Sequence, residues 1–384
     1  MGKRELLLIV AFVAVGAVVY QLTSPAAPPG EEGFSWSGLI ENIRREVRGH
    51  RANAEVVTSD THPLEAAVAD LRLETGSAQV TIRGERRDDM AYELRVRSNG
   101  YDEAEAVALA KQTRLVFKRS AETVAVQVEY PKDGVQSAVV VLIVPNRLSI
   151  RAQPGRGRLE FSDLAGVELV EARGRVELRR IRGRVSVTHR GGQLTVEDSG
   201  TLRLNARGTD VRLARIAGEA VLQLSSGTLG ASELSGRLEV DASSAVVELE
   251  ALEAMRGPAR INAVSGRVRV RGLATEARVE GRNTDIDIVI DRASPISIYN
   301  EGNDDIEVTP PPGGFNLDAV VTRGRLTLPE SLERQLNVAP SSGVESEATD
   351  RAVGPVNGGG PVITLRANGG DIVVRARDTA NTPR

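Results

Sequence analysis

The chain has 384 residues, with no cysteine, 38 glycines, 11 Phe, Trp and Tyr together, and 49 basic against 52 acidic residues for a formal net charge of −3. Absent cysteine excludes disulfide frameworks, cysteine zinc sites, thiol nucleophiles, iron–sulfur clusters and lipoprotein-type lipidation, and the near-neutral balance lacks the basic signature of a nucleic-acid-binding chain. A 41% hydrophobic content suffices for a core, though one built with few aromatics.

Lys3 and Arg4 precede an apolar run from Leu6 to Leu22, about 17 residues, the lower end of what spans a hydrocarbon core. Glu31 and Glu32 follow it. The positive-inside rule then predicts a single N-terminal transmembrane helix within residues 1–22, in the bacterial inner membrane, with the C-terminal bulk extracytoplasmic or periplasmic. Ser24-Pro25-Ala26 offers the alternative of a cleaved signal segment and a secreted protein. Residues 23–68 read as a Pro-rich linker with Phe34 and Trp36 at the membrane interface, and Leu39, Ile43 and Val47 at the spacing of a short amphipathic helix.

Residues 69–150 read as a small α+β cap. Gly76-Ser-Ala-Gln-Val80-Thr-Ile82 alternates as a strand does, and Met90–Arg97 reads as a longer strand. Asp102 is placed to N-cap a helix over Glu103–Gln112, and strands are predicted at Arg114–Lys118, Thr123–Glu129 and Ala138–Val144.

Over residues 151–328 one unit recurs, a Gly corner followed by apolar residues alternating with polar ones. It appears as Gly174-Arg-Val-Glu-Leu178, Gly183-Arg-Val-Ser-Val187, Gly236-Arg-Leu-Glu-Val240 and Gly266-Arg-Val-Arg-Val270. A second mark is an extra apolar residue at Leu164, Ile181, Ile216, Leu234, Leu252 and Leu273; Ser225-Ser226-Gly227, Ser243-Ser244-Ala245 and Val264-Ser265-Gly266 form a distinct set of corners. Two inequivalent strands per coil of about 18 residues predict an all-β flattened parallel β-solenoid, or β-helix. Residues 329–361 read as a mobile insertion, 362–377 as strands that close the stack, and 378–384 as a disordered tail.

The strand Val141-Leu-Ile-Val-Pro145, then Leu148-Ser-Ile150, the Gly-x-Val-x-Leu units, the helix near Ala104–Lys111 and the closing Gly369-Gly-Asp-Ile372 together resemble the bacterial "putative-adhesin" domain family of unknown function. The resemblance covers roughly Leu71–Arg377 and implies stacked β-repeats with no catalytic residues. Arg175, Arg184, Arg237 and Arg267 stand where the family's repeat carries Asp.

Candidate chemistry is sparse. His50, His62 and His189 are scattered, Asp285, Asp287 and Asp291 read as the outward residues of a strand or as a calcium edge, and no nucleophile elbow is present. No catalytic, cofactor or metal residues are assigned. Between Arg151 and Arg190 there are ten Arg against five acidic residues, and between Glu280 and Glu307 eight acidic residues against two Arg. Arg173, Arg175, Arg179, Arg180, Arg182 and Arg184 are therefore a candidate polyanion-binding patch for envelope polysaccharide, lipid head groups or another envelope protein, and nucleic acid is not expected. The leading reading is a non-catalytic, membrane-tethered adhesion or interaction scaffold of the cell envelope. The alternatives are an envelope-stress regulatory partner and a polysaccharide-active β-helix enzyme.

Overall fold

A computed structural model describes residues 52–120, 122–131, 135–339 and 349–377. The transmembrane segment, the amphipathic helix and the C-terminal tail read from the sequence lie outside these residues. Among the described residues no helix is long and apolar enough to cross a membrane.

The described chain is all-β and solenoid-like, one continuous sheet whose strands pair mainly in parallel. Leu202 faces Ala220 and Ala220 faces Leu238, a step of 18 residues each time. The step is 17 between Ser149 and Gly166 and widens to 21 between Leu238 and Ala259. Each coil holds two strands. In Ala220–Ser232 the first half buries Ala220, Leu222 and Leu224 and the second buries Leu229 and Ala231. Between them the chain turns at Ser226 and Gly227, with φ of 60° and 103°.

Continuous strand bonding runs from Gly166 to Ile216, 51 residues, which would extend about 170 Å if straight. Positive φ at Glu171, Gly174, Arg180, Gly191, Gly192, Asp198, Gly208 and Arg215 instead folds it into successive coils. At Gly192, φ 110°, an added Cβ would fall 2.2 Å from the Gly174 carbonyl oxygen; the coils approach too closely there for any side chain.

The other corner is built without glycine except at Gly272, which precedes the buried Leu273. Asp163, Arg180, Asp198, Arg215, Glu233 and Ala251 all have left-handed backbone, and the next residue in each case is buried: Leu164, Ile181, Ser199, Ile216, Leu234 and Leu252. The extra apolar mark in the sequence is thus the plug of this corner. Holding a non-glycine residue left-handed costs about 1–2 kcal/mol, and burying the following Leu or Ile, worth about 1.5–3 kcal/mol, offsets it.

Both ends of the stack depart from chain order. The coil of Asp70–Glu74 and Gln79–Glu85 lies between the coil of Ser149–Ala152 and Arg156–Ser162 and the later-formed strands Thr123–Glu129 and Gln136–Pro145. Antiparallel strands Arg114–Ser120 and Asp89–Gly100 extend this end. The helix Glu103–Gln112 packs beside them, burying Ala106 and Ala110, with Asp102 accepting from the Glu105 N–H at 2.8 Å as the sequence predicts. At the opposite end Val362–Gly369 and Ile372–Val374 lie between Ile296–Gly302 with Ile306–Thr309 and Phe315–Thr322 with Leu326–Thr327.

Three expectations need correction. The final strands do not close the stack; they are covered by the coil that precedes them, and Thr349–Val356 and Asn337–Ala339 then pair antiparallel on top. Those two strands and the short helix Glu330–Glu333 fall inside the 329–361 segment read as an insertion, while 340–348 lies outside the described residues. Ala52–Pro63, inside the expected linker, is a strand on Asp89–Gly100. The physical reason is common to both ends: a terminal parallel coil presents unpaired N–H and C=O groups, and antiparallel strands from flanking segments satisfy them.

Candidate functional site

The six arginines read as one patch are all exposed but occupy different parts of the coil. Arg173 and Arg175 flank the Gly174 corner, Arg179 and Arg180 approach the opposite corner, and Arg182 and Arg184 enter the next coil. Four are engaged within the molecule. Arg175 donates to Gln193 Oε1 at 3.0 Å, and Arg179 lies 3.2 Å from Glu177 and 3.5 Å from Glu197. Arg180 holds Asp163, and Arg182 donates to the Asn146 carbonyl. Arg173 and Arg184 form no ion pair among the described residues.

Arg184 belongs to a different assembly. On the outer surface of the first strands of the coils is a groove of about 730 Å³ whose lining includes Arg72, Arg151, Arg184 and Arg203, with Asp70 and Glu168 as its acidic residues. Alternation makes it: Leu71, Ile150, Val185 and Leu202 point inward and are buried, so the residues beside them point outward. Gly166 deepens it, since a Cβ there would meet Ser149 Oγ at 3.1 Å and the Arg184 carbonyl at 3.3 Å.

Within the groove Arg72 sits directly opposite Arg151, and Arg151 opposite Glu168. Arg72 reaches Glu74 at 3.0 Å and Arg151 reaches Glu168 at 2.8 Å. Arg203, like Arg184, has no ion pair among the described residues. Guanidinium groups in such a row donate in pairs to carboxylate, sulfate or phosphate. Neither described histidine lines the groove: His62 stacks on Phe117 with centroids 4.5 Å apart, and His189 is fully buried. Sequence reasoning missed Arg72 and Arg203 because they lie outside the Arg-rich window of Arg151–Arg190 in sequence, Arg72 far before it, although the fold brings both into one groove.

The acidic stretch Glu280–Glu307 is largely neutralised. Asp285 lies 3.0 Å from Arg267, Asp287 is 2.7 Å from Arg271 and 3.4 Å from Arg269, and Asp291 is 2.6 Å from Arg377. Glu307 is 2.5 Å from Arg375. The calcium-edge carboxylates are therefore ion-paired, and among the described residues no group of three His, Asp or Glu side chains is arranged to hold a metal.

One buried polar pair sits inside the stack. Thr209 donates its hydroxyl to the Arg207 carbonyl at 3.1 Å, so His189 Nδ1–H donates to Thr209 Oγ1 at 3.0 Å. Nε2 is left buried without a partner. Burial pushes His189 below its ordinary value, against a weaker upward pull from the Gly174 backbone.

The family model described as Toastrack DUF4097 matches residues 68–375. No curated protein matches the chain. Solved structures similar to it include a "putative cell adhesion protein" from Clostridium sporogenes, at 10% identity over 85% of this chain and 100% of that one with a TM-score of 0.20. A "putative adhesin" from Parabacteroides merdae shares 9% identity over 83% of this chain and 96% of that one, TM-score 0.30. A "putative lipid binding protein" from Parabacteroides distasonis shares 10% over 83% and 96%, TM-score 0.24.

Proposed function

The chain belongs to the Toastrack DUF4097 family, as its Val141–Pro145 strand and Gly-corner repeats implied, and on that premise we propose that it is a non-catalytic, membrane-tethered interaction scaffold of the bacterial cell envelope. Its stacked coils supply a rigid surface, and the Arg72–Arg151–Arg184–Arg203 groove binds an acidic envelope polymer. The observation that carries this reading is the pair Arg184 and Arg203, exposed guanidinium groups lining the groove with no carboxylate within ion-pair distance among the described residues. Most arginines elsewhere on the solenoid have internal partners, so a cation left open in a concave site is available to an external anion.

Heparin-column elution tests the binding. The native protein is expected to need more salt than the double variant R184E/R203E, while R212E, an equal change per residue on the outer surface of a second strand, elutes near the native position. A shift for R212E about half that of the double variant, in proportion to the charge reversed, would show that bulk charge is responsible and overturn the reading. The tether is tested by alkaline carbonate extraction: the native chain should stay with the membrane pellet, and release would contradict an uncleaved anchor.

A further inference from the structure

We infer that the groove takes a linear polyanion laid along the solenoid axis, a chain of sulfated, phosphorylated or uronic sugars, and not a compact anion; this rests on the polyanion reading of the groove. Six strands contribute to its lining, through Thr123, Arg72, Arg151, Glu168, Arg184 and Arg203. In the strand register Thr123 faces Asp70, Arg72 faces Arg151 and Arg151 faces Glu168, so these are successive rungs. Rungs about 4.8 Å apart make the row about 24 Å long.

The spacing of charge along that row decides the ligand's shape. Arg72 and Arg151 face each other on adjacent strands, an arrangement of like charges that is unfavourable without a counter-anion. Glu74 and Glu168 relieve it partly, each from one side. Arg184 lines the groove one column over, beside Gly166, and Arg203 lines it on a further strand, both with no internal relief. A single phosphate reaches two neighbouring arginines at most, whereas a chain with an acidic group every few ångströms meets all four at once. The groove residues include no aromatic side chain for stacking a sugar ring, so charge spacing, and not sugar identity, sets the preference.

One part of the outer surface of the second strands carries the opposite sign. A depression there is lined by Glu177, Glu197, Glu248 and Glu250 with Arg179 and Arg212. A polyanion is repelled from that depression and held in the groove, which biases the side of the solenoid it occupies.

The test is calorimetry of the full chain in detergent micelles with heparin oligosaccharides of two, four, six and eight sugars, and with inorganic phosphate. Affinity is expected to rise at least tenfold from the disaccharide to the hexasaccharide and then level off, as a row of about 24 Å fills. R184E/R203E should lose at least tenfold on the hexasaccharide and R212E less than twofold. Arg184 and Arg203 are exposed and make no ion pair among the described residues, so reversing them breaks none of the fold's ion pairs. A disaccharide or phosphate that binds as tightly as the hexasaccharide, with column retention intact, overturns the axial chain but leaves polyanion binding standing. Loss of all heparin binding overturns both. An oligomer that R184E/R203E dissociates and that heparin fails to compete with would place a second copy in the groove and overturn the inference.

Discussion

Arg180 donates two hydrogen bonds, of 2.7 and 2.8 Å, to the carboxylate of Asp163 one coil earlier, and both residues hold left-handed backbone at φ 51° and 61°. Arg215 repeats the relation with Asp198, at 2.6 and 3.2 Å, and lies 4.0 Å from Glu233. One corner of the solenoid is thus a column of alternating sign, Asp163, Arg180, Asp198, Arg215 and Glu233, with each residue in a conformation that glycine would hold more easily. The charge of Arg180, read from sequence as part of a ligand patch, ties coils together.

Replacing Arg180 separates pairing from strain. Arg180→Ala loses an exposed ion pair, worth about 1 kcal/mol or less, and keeps the left-handed cost of about 1 kcal/mol. Arg180→Gly loses the same pair but relieves that cost. Urea denaturation should therefore find the glycine variant about 1 kcal/mol more stable than the alanine variant; equal midpoints would contradict the strained corner.

The same column makes the fold sensitive to strong acid. The hydrogen bond from Arg180 holds Asp163 below the ordinary carboxylate value near 3.8, and Arg215 does the same to Asp198. With folded values depressed, the unfolded chain takes up protons first, so the stabilisation is present above about pH 4 and is lost as pH falls through the folded values. Thermal melting from pH 6 to pH 2 should show a steep loss in the native protein below about pH 4 and a shallower one in D163N/D198N. Parallel curves would contradict the assignment.

His189 predicts a second, milder window. Its folded value is depressed by burial, so the neutral ring is favoured inside the stack and stability declines as pH falls below the unfolded histidine value of about 6.5. His189→Gln should remove the part of the decline between about pH 7 and pH 5, whatever its effect at pH 7. A variant with the native slope in that range would show that His189 does not titrate with unfolding.

The coils themselves were legible in the sequence because strand alternation, Gly or Ser corners and the Leu or Ile plugs recur together. Leu234 and Leu252 mark successive turns 18 residues apart, and both prove buried beside a left-handed residue. The ion pairs were not legible to a count of charge along the chain, since Arg269 neutralises Asp287 from 18 residues away; applying the 18-residue period to charges as well as to aliphatics would have found it. The end order was hidden for another reason. Phe315–Thr322 and Val362–Gly369 alternate alike, and alternation alone does not say which lies against Ile296–Gly302. The groove needed both kinds of information, the coil period to align Arg151 with Glu168 and the end order to bring Arg72 beside Arg151.

Deleting one coil tests the unit. Removing Ala220–Arg237 places Leu238 against Leu202, the partner Ala220 has now, so inward residues stay inward and the protein should fold cooperatively with a β circular-dichroism signal. Removing only Ala220–Thr228 puts a second strand where a first belongs and should abolish cooperative unfolding. Similar behaviour of the two deletions would contradict an 18-residue coil.

The most direct measurement is the salt dependence of heparin hexasaccharide affinity for the native chain, R184E/R203E and R212E. Each groove contact displaces counter-ions, so the slope of log affinity against log salt reports how many ionic contacts form. A steep native slope, a clearly shallower one for R184E/R203E and a native-like one for R212E are predicted. Equal slopes for all three would contradict a binding groove built on Arg184 and Arg203.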